Sequence, residues 1–457
     1  MRVIIVGAGI SGLATAHALL ERQPGLDVAV LEAADRTGGK AWTDRTANGY
    51  ACEWGVNGFL DKEPRTLELA ASLGLAPQAA DPAAARRYVW RRQTLHRLPE
   101  SPTAFLTSGM MSLPGRLRFL CEPFIRRGRL DDETLADFAR RRLGSEALDA
   151  LIGPMASGVF AGDPERMSLR SCFPRIHRLE QRHGSLIRGM LRMQIAARRA
   201  GQGPGPGPGP GGTLTSFAGG MSELIDGLTT RLGDRIRVSS PVNAVTRQRA
   251  CYRVHLASGE TLETERLVLA APAWAQSAML RDLDGALSNL LREIEYPPLA
   301  VACLGYRERD LPGNPDGFGY LVAPSERGEV LGTIFDSNVF PGRAPEGHVL
   351  LRSMVGGHRN PGLALQDDQA LVDSVRAEYR TVLGINAPPE FVRVYRHERA
   401  IPQYQVGHQA RLEQIQGALK AYPGLVLTGN AFRGVSLNDC VANAYRTAAR
   451  LAPAARI

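Results

Sequence analysis

Lysine is nearly missing from this chain. Of 55 basic residues only Lys40, Lys62 and Lys420 are lysines, and the other 52 are arginine. Genomic compositional bias accounts for most of that imbalance. The formal net charge is +9. Cysteine is scarce and scattered. Its six positions, 52, 121, 172, 251, 303 and 440, contain no CxxC and no histidine at metal-ligand spacing, so no metal site is expected and the thiols read as reduced, in a cytosolic setting. No stretch reaches the roughly 18 uninterrupted apolar residues of a membrane span. No leader is expected, because the first strand begins at residue 2. Basic clusters at 86–92, 126–129, 140–142 and 175–199 lack any nucleic-acid-binding motif, which excludes nucleic acid as an expected partner and leaves anionic lipid or an acidic substrate.

What the chain does have begins at once. Arg2–Val6 is a short apolar strand running into Gly7, Ala8, Gly9, Ile10, Ser11 and Gly12, then a helical stretch over 13–21 and a second strand, Val28–Leu31, ending in Glu32. Strand, glycine turn, helix, strand and acid in that order form a dinucleotide site. The glycines allow a tight turn and close approach to a pyrophosphate at the helix N-terminus, and the acid binds a ribose hydroxyl. The continuation Asp35-Arg36-Thr37-Gly38-Gly39 is unusual for a nicotinamide site. It resembles the second flavin motif of the FAD-dependent amine oxidase and desaturase superfamily, which makes the expected cofactor FAD.

The length of 457 residues predicts two or three domains. The fold class expected is α/β, with a Rossmann-type FAD domain, a mixed-sheet α+β substrate domain and a helical membrane-associated insert. The FAD domain is expected over 1–86, 213–272 and 401–457, the helical insert over 87–212 and the substrate domain over 273–400. In the insert glycine thins out and the spacing turns helical. Phe105, Leu106, Met110, Met111, Leu113, Leu117, Phe119, Leu120, Phe124 and Ile125 lie among arginines there, as a lid on the core or as a surface lying on a membrane. The low-complexity Gly/Pro stretch at 201–212 is expected to be a mobile loop.

The most specific string is Gly158-Val-Phe-Ala-Gly-Asp163, followed by Met167-Ser-Leu-Arg-Ser-Cys-Phe-Pro174 and a Glu-Gln-x-His-x-Ser stretch at 180–185. With Gly317–Pro324, Val355–Gly357, Ile401–Tyr404, Gly407-His408 and Gly429–Cys440, it resembles the oxygen-dependent protoporphyrinogen oxidase family along essentially the whole chain. That resemblance implies an enzyme with FAD, molecular oxygen and a porphyrinogen bearing propionates, and it favours the membrane reading of the insert. It implies FAD contacts at Gly7 to Gly12, Glu32, Gly38, Gly39, Lys40, Gly55, Val56, Asn57, Gly58, Val242, Asn430, Val435, Ser436 and Leu437. Lys40 is a departure and is expected at a phosphate. Val56 stands where proline is common.

By the same resemblance Arg87 pairs with a substrate propionate, and Phe318, Gly319, Leu321, Ile334 and Met354 line the cleft, Gly319 admitting a flat macrocycle. Flavin N5 carries the chemistry. No side chain is expected as catalytic base, with His255, His348, His358 and His408 set aside. Further expectations are a cytoplasmic protein peripheral on the inner face of the cell membrane, a homodimer, and hand-over to the next haem-pathway enzyme. The alternatives are coproporphyrinogen III oxidation, an amine oxidase, a carotenoid desaturase and a non-catalytic porphyrin-binding flavoprotein. The absence of lysine between 62 and 420 argues against the amine oxidase.

Overall fold

The computed structural model describes residues 2–128, 130–199 and 211–452. The strand Arg2–Val6 sits at the centre of a five-stranded parallel sheet, ordered Ile236–Arg237, Asp27–Leu31, Arg2–Val6, Arg266–Leu269, Leu425–Leu427. Val3, Ile4 and Ile5 are wholly buried because both faces are covered, which is why the strand reads as continuously apolar. One face packs on the helices Ile10–Arg22, Ser222–Leu232 and Leu437–Leu451. The other is covered by a small antiparallel sheet over residues 242–264 and by the helices Ala273–Leu280, Gly285–Arg292 and His408–Leu419. Gly12 is required at the first crossing, since a Cβ there would lie 1.8 Å from the Gly7 carbonyl oxygen.

A mixed seven-stranded sheet forms the second layer, ordered Phe391–His397, Leu299–Arg307, His348–Gly356, Val330–Ile334, Gly319–Val322, Arg87–Arg91, Thr94–Arg97. The last two strands correct the expected boundary of the helical insert. Residues 87–97 form a hairpin that extends this sheet, Arg87–Arg91 pairing in parallel with Gly319–Val322. Alternation explains it: Val89 is buried on one side and Trp90 on the other, so the segment completes two faces at once. The helix Asp368–Leu383 covers one face of the sheet through Leu371, Val375 and Tyr379.

Helices run from Pro102 to Arg199. At the centre of this region Arg142, wholly buried, donates to Glu180 at 2.7 Å and to Glu122 at 3.2 Å. Glu122 in turn accepts from Ser185 and from the first amides of the helix Leu186–Arg199. The expected basic patch at 140–142 is therefore internal or paired, with Arg140 on Glu165 and Arg141 on Glu133 and Glu180. Several of the apolar residues expected at a surface are also internal: Met110 and Met111 are buried, and Phe105 and Phe119 pack on each other at 4.7 Å. The Leu106 side chain and residues 201–210 of the Gly/Pro stretch lie outside the described residues.

Candidate functional site: a flavin cradle beside an apolar sheet face

Two glycine turns face each other at the carboxyl end of the parallel sheet. The helix Ile10–Arg22 starts with Gly9 as its cap and no side chain bonded to its first amides, which leaves those donors for a ligand. A Cβ on Gly9 would meet nothing within 4 Å, and Gly39 lies opposite, its Cβ position 3.5 Å from the Gly9 Cα. The Gly38 amide donates to the Ala8 carbonyl at 2.8 Å. Glu32 leaves its strand and accepts from the amides of Ala8 at 2.7 Å and Ala34 at 2.9 Å, so its carboxylate is fixed at the rim of the turn. The Ser240 amide bonds the Glu32 carbonyl, which brings Val242, two residues on, to the same end. The Arg36 guanidinium lies over the edge-to-face pair of Trp42 and Trp54, 4.5 and 4.3 Å from their ring centroids, and donates to the carbonyl of Thr37.

The remaining expected flavin contacts are Lys40, the 55–58 loop and the turn before the C-terminal helix. In the 55–58 loop both ends of the Asn57 carboxamide are buried with no hydrogen-bond partner among the described residues, as suits a polar ligand. Val56 packs on the core beneath the first helix, and a Cβ on Gly58 would lie 2.5 Å from the Thr215 carbonyl oxygen. In the C-terminal turn, Ser436 caps the helix Leu437–Leu451 in a reciprocal box with Asp439. Val435 packs half-buried beside Phe160 and Tyr404, and the Asn430 carbonyl accepts from the Tyr404 hydroxyl. Lys40, expected at a phosphate, has main-chain partners. Its ammonium donates to the main-chain carbonyls of Arg399, at 2.8 Å, and Ala400, 5.7 Å from the Tyr296 ring, and burial pushes its pKa down to about 8.

The mixed sheet brings the expected cleft residues into register on one face. One row across the strands is Arg87, Gly319, Ile334, Arg352, and the next is Val89, Leu321, Gly332, Met354. Phe318, Leu321, Ile334 and Met354 are half-buried side chains within or beside otherwise buried strands, since the opposite face is sealed by the helix Asp368–Leu383. Gly319 has a reason other than the one expected. Its φ is +139°, and a Cβ would lie 2.0 Å from the Thr333 carbonyl oxygen, so the backbone itself requires glycine. Helix Gly153–Phe160 closes on this wall, a Cβ at Gly158 falling 2.8 Å from Leu321.

Charge on this face is sparse and mostly neutralised. Arg86 pairs with Asp316, Arg91 with Asp149 and Glu146, and Arg92 with Glu146. Arg87 has no carboxylate partner among the described residues, and its guanidinium lies 5.2 Å from the Phe318 ring centroid. Arg352, which sequence reading missed, pairs with Asp336 at 2.6 Å and donates to the Gly55 carbonyl at 3.3 Å, joining the apolar face to the 55–58 loop. Glu53 and Arg343, also missed, form a second buried pair at 3.1 Å beneath that loop. Nothing in the local sequence marks these pairs, because their partners come from distant strands.

A family model for flavin-containing amine oxidoreductases matches residues 10–452. The chain belongs to that family. It is 35% identical to the chloroplastic protoporphyrinogen oxidase of Oryza sativa subsp. japonica, over 98% of this chain and 87% of the relative. It is 31% identical to the coproporphyrinogen III oxidase of Bacillus subtilis (strain 168), over 96% of this chain and 95% of the relative. A solved structure from Exiguobacterium sp. 255-15 superposes with a TM-score of 0.84 at 26% identity, covering 99% of this chain and 98% of that one. Reduced UDP-galactopyranose mutase shares the fold alone, at a TM-score of 0.75 and 18% identity over 98% of this chain and 93% of that one. The protein is an FAD-dependent oxidoreductase of this family, and the paired glycine turns and the open Asn57 amide fit that cofactor.

Proposed function

We propose that the protein oxidises protoporphyrinogen IX to protoporphyrin IX with molecular oxygen, releasing hydrogen peroxide, in haem biosynthesis. The observation that carries this reading is the Arg87 guanidinium, without a carboxylate partner among the described residues, at the edge of an apolar sheet face that ends at the flavin loop. A guanidinium holds a carboxylate through two charge-assisted bonds, which fixes a propionate-bearing ring in one orientation. Phe318, Leu321, Ile334 and Met354 exclude water along the ring. Bound FAD supplies the hydride acceptor and the route of electrons to oxygen. The four set-aside histidines are engaged elsewhere: His255 with Thr246 and Thr261, His348 with Glu390, His358 with Glu295, and His408 against the Tyr404 ring. The reading therefore assigns no side chain as base.

Aerobic turnover with protoporphyrinogen IX and coproporphyrinogen III in parallel, followed by porphyrin fluorescence, tests it. Faster oxidation of protoporphyrinogen IX is expected. Preference for coproporphyrinogen III, the activity in the name of the Bacillus subtilis relative, moves the substrate and keeps the chemistry. No oxidation above the spontaneous rate removes the porphyrinogen.

The same reading puts the protein in the cytoplasm, peripheral on the inner face of the cell membrane. Leu113, Leu117 and Leu120 recur at helical spacing and are 63%, 55% and 45% exposed, with Phe124 beyond them at 80%. A stripe of this kind suits an interface between lipid headgroups and acyl chains. No helix among the described residues is long and apolar enough to cross a membrane. A homodimer, and passage of the apolar product to the next haem-pathway enzyme at that surface, belong to the same proposal.

A further inference from the structure

The segment 401–408 gives the apolar wall only Ile401, yet it is bonded on two sides. On one side it holds the helical region. The Gln403 side chain donates to the Phe160 carbonyl at 2.9 Å, the Ser168 amide and the Cys172 thiol donate to the Tyr404 carbonyl at 2.8 and 3.4 Å, and the Val406 amide donates to the Arg166 carbonyl at 3.1 Å. On the other side the hydroxyl of Tyr404, a residue only 2% exposed, donates to the main-chain carbonyl of Asn430 at 2.5 Å. The Tyr404 ring is stacked on the buried imidazole of His408, 4.2 Å away and 13° from parallel, so the phenol is held at one angle. Burial raises the Tyr404 hydroxyl far above its ordinary range, and it stays a donor at any working pH.

We infer that Tyr404 is a positioning residue for the flavin, acting through the turn that begins at Asn430. The turn from there to Ser436 is held at its far end by the Asn443 amide on the Arg433 carbonyl at 2.8 Å and by the Ser436–Asp439 box. Tyr404 fixes its near end and ties it to the region that closes on the apolar wall. A half-buried carbonyl that loses its donor carries part of the desolvation penalty of an unpaired acceptor, and the turn then relaxes toward another donor. The inference rests on the reading that the 430–437 turn touches the flavin.

Tyr404→Phe in the holoenzyme tests it, because the stacked ring remains and one hydroxyl goes. The expected result is about tenfold weaker FAD retention and a shifted visible circular dichroism band of the bound flavin. Asn430→Ala is measured beside it. An unchanged flavin band and unchanged FAD affinity in Tyr404→Phe overturn the inference, whatever the melting temperature does. If Asn430→Ala shifts the band while Tyr404→Phe does not, the link from Tyr404 has failed. If neither does, the placement of the turn at the flavin has failed as well.

Discussion

The guanidinium of Arg352, on a central strand of the mixed sheet, donates to the main-chain carbonyl of Gly55 in the 55–58 loop. Its charge is balanced by Asp336 at 2.6 Å, and both residues are 1% exposed. Arg352→Met leaves the Asp336 carboxylate buried and alone, and removing one partner of such a pair costs about 3–5 kcal/mol. The double variant Arg352→Met/Asp336→Leu is expected to regain most of that loss. Urea unfolding of both decides it; a single variant within about 1 kcal/mol of the wild type contradicts the assignment.

On the proposed reading Arg87, whose guanidinium lies 5.2 Å from the Phe318 ring centroid, holds a substrate propionate. Arg87→Ala is expected to raise KM for protoporphyrinogen IX by about ten- to a hundredfold, the range for a lost charge-assisted bond. The propionate is remote from the reacting carbon, so kcat changes far less. A fall in kcat with KM unchanged argues against propionate binding.

Two carboxyls set a pH dependence of stability. Burial pushes Glu53 up to about 7 against the pull of Arg343, and burial pushes Glu378 up to about 7 as well. A raised carboxyl keeps its proton in the folded protein while the unfolded chain has released it. The resulting stability is full below the ordinary value of 4.5 and is lost as pH rises through about 7. The fall in melting temperature from about pH 5 to about pH 8, the window spanned by these two values, is therefore expected to be less steep in Glu53→Gln than in the wild type, and least in Glu53→Gln/Glu378→Gln. Parallel curves for all three proteins refute the shifts.

Leu117 and Phe124 are large, apolar and exposed. Each gains about 1.5–3 kcal/mol on full burial. Leu117→Glu/Phe124→Glu is expected to abolish cosedimentation with anionic vesicles and to leave turnover in detergent unchanged. Equal vesicle binding by the variant removes the membrane proposal.

The nucleotide half is legible in the sequence because its physics is local. Arg2–Val6, the glycine turn and Glu32 lie within one strand–helix–strand unit, and each residue type answers a constraint set by its neighbours in sequence. Register is not legible. Nothing near residue 87 says that its strand lies parallel to Gly319–Val322, and from sequence the segment reads as the start of the helical insert.

By itself, then, the sequence determined the dinucleotide turn, the succession of strand, helix, strand and acid around it, and a set of apolar residues without a common face. Only the tertiary structure decided which of those residues meet. It paired Arg86, Arg91 and Arg92 with carboxylates and set Arg87 against an aromatic ring, turned Lys40 onto the Arg399 and Ala400 carbonyls, and gave Gly319 a backbone reason for being glycine. The cause is the same in each case. A buried charge or a strained backbone is satisfied by whatever the long-range pairing of strands brings within about 3 Å, and that pairing joins positions far apart in the chain.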